Sequence, residues 1–295
     1  MFIIKYKKIF LSISALLVLG SITLIAVFGL RLGIDFKGGA LQEVVYTMRP
    51  ETTVVKNALA KAGFEDALVQ PVGGNGYLIK TTDLTAEAHT EMLGALRSVG
   101  EGMTEKSYNS IGPSVGKELR TKAVFAISAV AIAIILFIAY AFRKVSKPVS
   151  SWKYGLIAVV TLLHDITIPS GVFALLGHFY GAEVDTLFVV ALLTVLGLSV
   201  SDTIVVFDRI RENLRAHNDE SFAVTVGKSL SQTFTRSINT SLTVILALLA
   251  LYFFGPEATK NFSLVLVVGM FFGTYSSIFV ASPLLVVLES MQKKR

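Results

Sequence analysis

The chain has 295 residues, 53% of them hydrophobic and only 16% charged, with a formal net charge of +6 and no cysteine. That balance is too apolar for a water-soluble globule of this length, and the lack of Cys excludes disulfides and thiolate metal sites. Six runs are long enough to cross a membrane, so a polytopic α-helical membrane protein with six transmembrane helices is expected.

The first run, Ile9 to Leu30, follows Lys5, Lys7 and Lys8. Its apolar stretch exceeds a signal-peptide core and no small-residue cleavage site precedes Arg31, so an uncleaved anchor is expected over residues 1–30. "GIDFKGGA", Gly33 to Ala40, comes next. Gly33, Asp35, Gly38 and Gly39 suit a tight structural turn, and the G-K-[ST] ending of a phosphate loop is missing.

Residues 31–122 have the composition of a soluble domain, with 11 Lys plus Arg against 11 Asp plus Glu. The +6 excess therefore lies in the membrane half, and the basic balance gives no support to nucleic-acid binding. "ALQEVVYTM" alternates as a strand, "TTVVKNALAKAG" has helical spacing closed by Gly63, and "DALVQPVGGNGYLIKTTD" reads as two strands about a Gly-rich turn. "TAEAHTEMLGALRSVG" reads as a helix capped by Thr85 and closed by Gly100, and "MTEKSYNSIG" as a last strand. The order βαββαβ predicts a small α+β ferredoxin-like domain.

Residues 123–295 hold the other five runs: Ala123 to Phe142, Trp152 to Gly177, Val184 to Phe207, Ser237 to Phe254 and Phe262 to Leu288. Arg143, Lys144, Lys147 and Lys153 fall in one connection, Arg209, Arg211, Arg215 and Lys228 in another, and Lys293, Lys294 and Arg295 end the chain. The outer loops, His178 to Glu183 and Gly255 to Asn261, are nearly free of basic residues. Both termini are thus expected in the cytoplasm and residues 31–122 outside it. In the connection Asp208 to Thr235, Phe222, Val226 and Leu230 recur every four residues, which predicts a short helix lying along the inner membrane surface.

Several polar groups interrupt the apolar runs. Asp202 lies in "LGLSVSDTIVVFDRIREN", just after Ser199 and five residues before Phe207, roughly 7 to 8 Å from the inner end at the helical rise. In "SQTFTRSINTSLT", Gln232, Thr233, Arg236, Asn239, Thr240 and Thr243 share one helix face, which must meet another helix or a watery cavity. Asp202 and Arg236 fall at similar depth and can pair. Burial and a nearby guanidinium push a carboxyl pKa in opposite directions, so a moving arginine can make Asp202 hold or release a proton. A structural ion pair is the plainer alternative.

The third run contains "LLHDIT". His164 and Asp165 are adjacent, so they point about 100° apart and are not expected to face one partner. The only histidines, His89, His164, His178 and His217, do not pair at ligand spacing, so neither a metal nor another cofactor is expected.

"GIDFKGG", "LLHDI" and above all "SVSDTIVVFDRIREN" followed by "TRSINTSLT" resemble the SecF subunits of the SecD/SecF family, bacterial protein-export membrane proteins of the resistance-nodulation-division (RND) superfamily. The resemblance covers the whole chain. It implies an inner-membrane subunit that uses the proton motive force to promote late export, with SecD, the SecYEG channel, unfolded preproteins and lipids as partners. It places the proton site on Asp202 and the essential arginine on Arg236, with Asp165 and His164 in a recurrent motif. A proton-coupled exporter of small molecules or lipids, and a non-transporting scaffold, are the alternatives.

Overall fold

A computed structural model describes residues 2–141, 150–216 and 220–292. Arg143, Lys144, Lys147, His217 and the basic residues 293–295 lie outside the described residues. The chain divides into two units, Leu32–Val124 and the rest, Met1–Arg31 with Phe125–Arg295.

A one-turn helix α1 (Phe2–Lys5) precedes α2 (Lys7–Phe28). The "GIDFKGG" stretch is not a simple turn. Gly33 begins a one-turn helix α3 (Ile34–Lys37), and Gly38 and Gly39 then carry positive φ of 81° and 132° into strand β1 (Gly39–Val45). Only glycine fits here. A Cβ on Gly38 would lie 2.8 Å from the Pro113 Cα, and one on Gly39 would lie 2.6 Å from the Thr81 carbonyl oxygen.

The unit Leu32–Val124 continues through α4 (Thr52–Lys61), β2 (Leu68–Val72), β3 (Gly76–Thr81), α5 (Ala86–Arg97) and β4 (Thr104–Ile111). Thr85 caps α5 through its hydroxyl, which accepts from the Ala88 N–H at 3.3 Å. The sheet is antiparallel throughout, in the order β2-β3-β1-β4. That is the split βαβ, ferredoxin-like arrangement. Val44, Tyr46, Tyr77 and Ile79 on the sheet bury against Val55, Leu59, Met92 and Leu96 on the helices. At about 1.5 to 3 kcal/mol per large apolar side chain, this core is what opposes the chain entropy in a unit without disulfides.

Apolar runs in lipid must satisfy their backbone internally, which makes them helices. These are α6 (Pro113–Ala141), α7 (Ser151–Tyr180), α8 (Thr186–Ala216) and α9 (Phe222–Phe254). The last run is α10 (Glu257–Ser276), a wide π turn (Ser277–Ala281) and α11 (Ser282–Gln292). Among the described residues six helical segments are long and apolar enough to span a membrane, and those built on α7, α8 and α10–α11 bury 56%, 50% and 61% of their apolar windows. These three form the centre.

Two helices run past their apolar limits. α8 continues beyond Phe207 to Ala216 and α9 begins at Phe222, well before Ser237. The expected surface helix is therefore corrected: Phe222, Val226 and Leu230 open α9 itself and bury in the core with Phe207, Ile210 and Leu285. Their four-residue spacing reflects an apolar face, but that face packs on helices. Asn213 fastens the extension, donating to Ser229 Oγ and Gln232 Oε1, both at 2.8 Å.

Candidate functional site

α8 delivers Asp202 to a groove of about 120 Å³ between α8, α9 and α10, also lined by Ser199, Arg236, Thr240, Ser241, Gly269 and Thr274. Small residues make the groove possible. A Cβ on Gly269 would lie 2.2 Å from Val195 Cγ2, so a side chain there would push α10 off α8, and one on Gly273 would lie 3.1 Å from Ser199 Cβ, tight enough to require a small shift.

The half-buried Asp202 accepts one hydrogen bond at 2.6 Å from Ser237 Oγ, while its Oδ2 is buried with no hydrogen-bond partner. The expected direct pairing with Arg236 gives way to this serine. Ser237 is the next residue on α9, so Arg236 and Asp202 do lie level, and the guanidinium lines the groove without bridging the carboxylate. Arg236 also lines a separate depression of about 270 Å³ towards the Ala216 end of α8, with Asp208, Arg209, Glu212 and Gln232. It stands between two concavities.

Asp165 is fully buried on α7 and bonded on every side. His164 Nδ1 lies 2.9 Å from Oδ1, Ser276 Oγ donates to Oδ2 at 2.9 Å, and Ser199 Oγ donates to the same oxygen. One carboxylate thereby joins α7, α8 and α10. The expectation that His164 and Asp165 diverge is corrected, because the imidazole turns back onto its neighbour. His164 stacks on Tyr275 with 6.1 Å between ring centroids, and its Nε2 is buried without a hydrogen-bond partner. Ser199 belongs both to this cluster and to the wall of the Asp202 groove.

The stripe predicted on α9 divides. Gln232 bonds Asn213, Arg236 and Thr240 line the groove, and Asn239 and Thr243 are exposed at the surface of this chain. Thr233 is buried and returns its hydroxyl to the Ser229 carbonyl at 3.1 Å. The face that packs is the neighbouring one, Ser229, Thr233, Ser237 and Ser241: the hydroxyls of Ser229, Thr233 and Ser241 bond carbonyls of their own helix, that of Ser237 reaches Asp202, and their small size lets the helix come close. Sequence reasoning missed Ser237, Ser241 and the whole contribution of α10 and the π turn that follows it, namely Thr274, Ser276 and Ser277. The signal was "GMFFGTYSS", two glycines followed by hydroxyls within an apolar run. Among the described residues no three His, Asp or Glu side chains gather as a metal site.

Residues 92–291 match the family model described as protein export membrane protein SecD/SecF, C-terminal, and residues 23–53 match that of the SecD/SecF GG motif. The chain belongs to the SecD/SecF family. The motif's two glycines fall in the stretch where Gly38 and Gly39 make the close approach described above. The protein translocase subunit SecF of Thermobaculum terrenum is 43% identical over 98% of this chain and 94% of its own length, and that of Anaerolinea thermophila 37% over the same shares. The crystal structure of SecDF from Thermus thermophilus, a translocon-associated membrane protein, superposes with a TM-score of 0.84 at 32% identity. It covers 99% of this chain, which spans only 38% of that one. This member of the family is a multi-pass membrane protein, and its relatives support a role in protein export.

Proposed function

We propose that this chain is a proton-driven subunit of the protein-export machinery, working with SecD beside the SecYEG channel to draw preproteins across the membrane late in export. The observation that carries the reading is the Asp202 groove: a carboxylate with one serine donor, one unpartnered oxygen, and an arginine that lines the groove without bridging the carboxylate. A structural ion pair would close on itself; this one is open. Arg236, lining both the groove and the cytoplasmic depression, serves as the moving charge that sets whether Asp202 holds its proton. Asp165 and His164, reached through Ser199, form a second proton-holding station deeper in the helices.

The exposed Asn239 and Thr243 support a partner. Polar groups at membrane depth are not left to lipid, and the longer SecDF chain, of which this one matches 38%, leaves ample sequence for the other half of an interface. SecD is the occupant that the family supports. The unit Leu32–Val124, outside the cytoplasm in this reading, contacts the emerging polypeptide weakly and without sequence preference. Capture of the full chain from mild detergent, followed by mass spectrometry, tests the assignment. SecD and the channel subunits should be recovered in near-stoichiometric amounts; recovery of neither, with tight binding of a small amphiphile instead, points to an exporter.

A further inference from the structure

Ser276 carries one hydroxyl hydrogen and faces two acceptors. Its Oγ lies 2.9 Å from Asp165 Oδ2 and 2.9 Å from the carbonyl oxygen of Gly273, three residues back on the same helix. A serine donates one bond at a time, and an ionised carboxylate is a stronger acceptor than a carbonyl. A protonated Asp165 loses that advantage. The Gly273 carbonyl is already contested, because the Ser277 N–H shares itself between Gly273 and Thr274 oxygens and the Ser277 hydroxyl lies 3.0 Å from the same Gly273 oxygen. Ser277 is also where the π turn begins. Such turns are rare and occur mostly as single bulges, frequently at functional sites.

We infer that Ser276 is a positioning residue that converts the charge state of Asp165 into the placement of the π turn, and through it of α11. With Asp165 ionised, the Ser276 proton is held across the helix interface and the Gly273 carbonyl stays with the Ser277 N–H. With Asp165 protonated, the hydroxyl turns to the Gly273 carbonyl, competes with that N–H, and loosens the bond at which the helix widens. A π turn that migrates by one residue rotates the residue it passes by roughly 100°. Ser277, 2.8 Å from Thr203 Oγ1, is the second anchor, so the change is felt on α8 as well.

Among the described residues, the charged and titratable groups about Asp165 are His164 on α7, Tyr275 on α10 beside the imidazole, and Asp202 with Arg236 in the adjoining groove. The inference rests on Asp165 being a proton-holding station, as proposed above. It does not require that Asp202 drive export.

The chain has no cysteine, so single labels are clean. Arg215 and Met291, both exposed, lie near the cytoplasmic ends of α8 and α11 and accept spin labels after replacement by Cys. Pulsed-electron-resonance distances on the full chain in lipid nanodiscs, mildly acidic against mildly alkaline, are read beside the infrared carboxyl band of Asp165. The wild-type distance distribution should shift as the band titrates, and Asp165→Asn should hold one distribution at both pH values. In Ser276→Ala the band should still titrate while the distance no longer follows it, and Ser276→Thr should restore the shift. A distance that follows pH in Ser276→Ala as in the wild type overturns the inference, as does a wild-type distance that stays fixed while the band titrates. A band that never titrates removes Asp165 as a proton station and the inference with it.

Discussion

Asp202 differs from Asp165 in how completely it is satisfied. Asp165 takes donors from His164, Ser199 and Ser276, whereas Asp202 has Ser237 alone and a buried oxygen without a hydrogen-bond partner. A hydrogen bond to a charged group contributes about 1.5 to 3 kcal/mol. Ser237→Ala should therefore slow gradient-driven export about ten-fold or more at neutral pH and displace its pH midpoint, while Ser237→Thr keeps both. Arg236→Lys should retain the assembled complex yet transport poorly. A lysine can lose its charge when desolvated and lacks the planar fork, so the decisive reading is export rate against complex yield. The acidic and basic members of the site were legible in the sequence because charge in an apolar run has no cheap explanation. The serines were not: Ser237 and Ser276 are equally at home in a helix that merely packs closely, and only their partners distinguish them.

At the level of elements, close approach of helices is bought with glycine and serine. Gly269 faces Val195, whose branched side chain has little room to yield, so Gly269→Ala should lower stability in detergent by about 1 to 3 kcal/mol. Thermal unfolding followed by tryptophan-independent aggregation reads this, and adding Val195→Ala should recover most of the loss. Unaltered melting of the single variant would mean that α8 and α10 are not held so tightly. The periodicity of Phe222, Val226 and Leu230 was readable, but its meaning was not. An apolar stripe looks the same whether it meets lipid or another helix, and only the continuation of α8 to Ala216, with Asn213 reaching Ser229 and Gln232, decides in favour of the helix pair. The strands of the unit Leu32–Val124 were easier, since turn glycines and alternating side chains leave few registers for a half-buried strand.

Across the whole molecule, the two units separate along a boundary that composition announces: nearly charge-balanced from Leu32 to Val124, with 10 Lys plus Arg against 11 Asp plus Glu, and mainly apolar elsewhere. A fragment of residues 32–124 should fold cooperatively, and its alkaline limit is set by one side chain. Tyr46 is buried, with its hydroxyl donating to the Leu96 carbonyl at 3.1 Å. Burial, with a smaller contribution from Tyr77, pushes its pKa up from 10.0 to about 12. The unfolded chain releases this proton first as pH rises, so the stability contribution is whole below pH ~10, falls between about 10 and 12, and amounts to about 2 to 3 kcal/mol. Denaturant titrations of the fragment should show that decline, and Tyr46→Phe should flatten it.

In the membrane-spanning helices, Asp202 is the proposed carrier of the proton. A proton crossing about 150 mV releases roughly 3 to 4 kcal/mol, enough to exchange two conformations a few kcal/mol apart. The most direct measurement is gradient-stimulated preprotein export in vesicles holding the full complex, wild type against Asp202→Asn, which keeps size and hydrogen bonding but cannot ionise. Equal assembly is expected, with a clear acceleration by the gradient in the wild type and none in the variant; an Asp202→Asn complex accelerated as much as the wild type, and slowed as much when the gradient is collapsed, would remove Asp202 as the proton carrier.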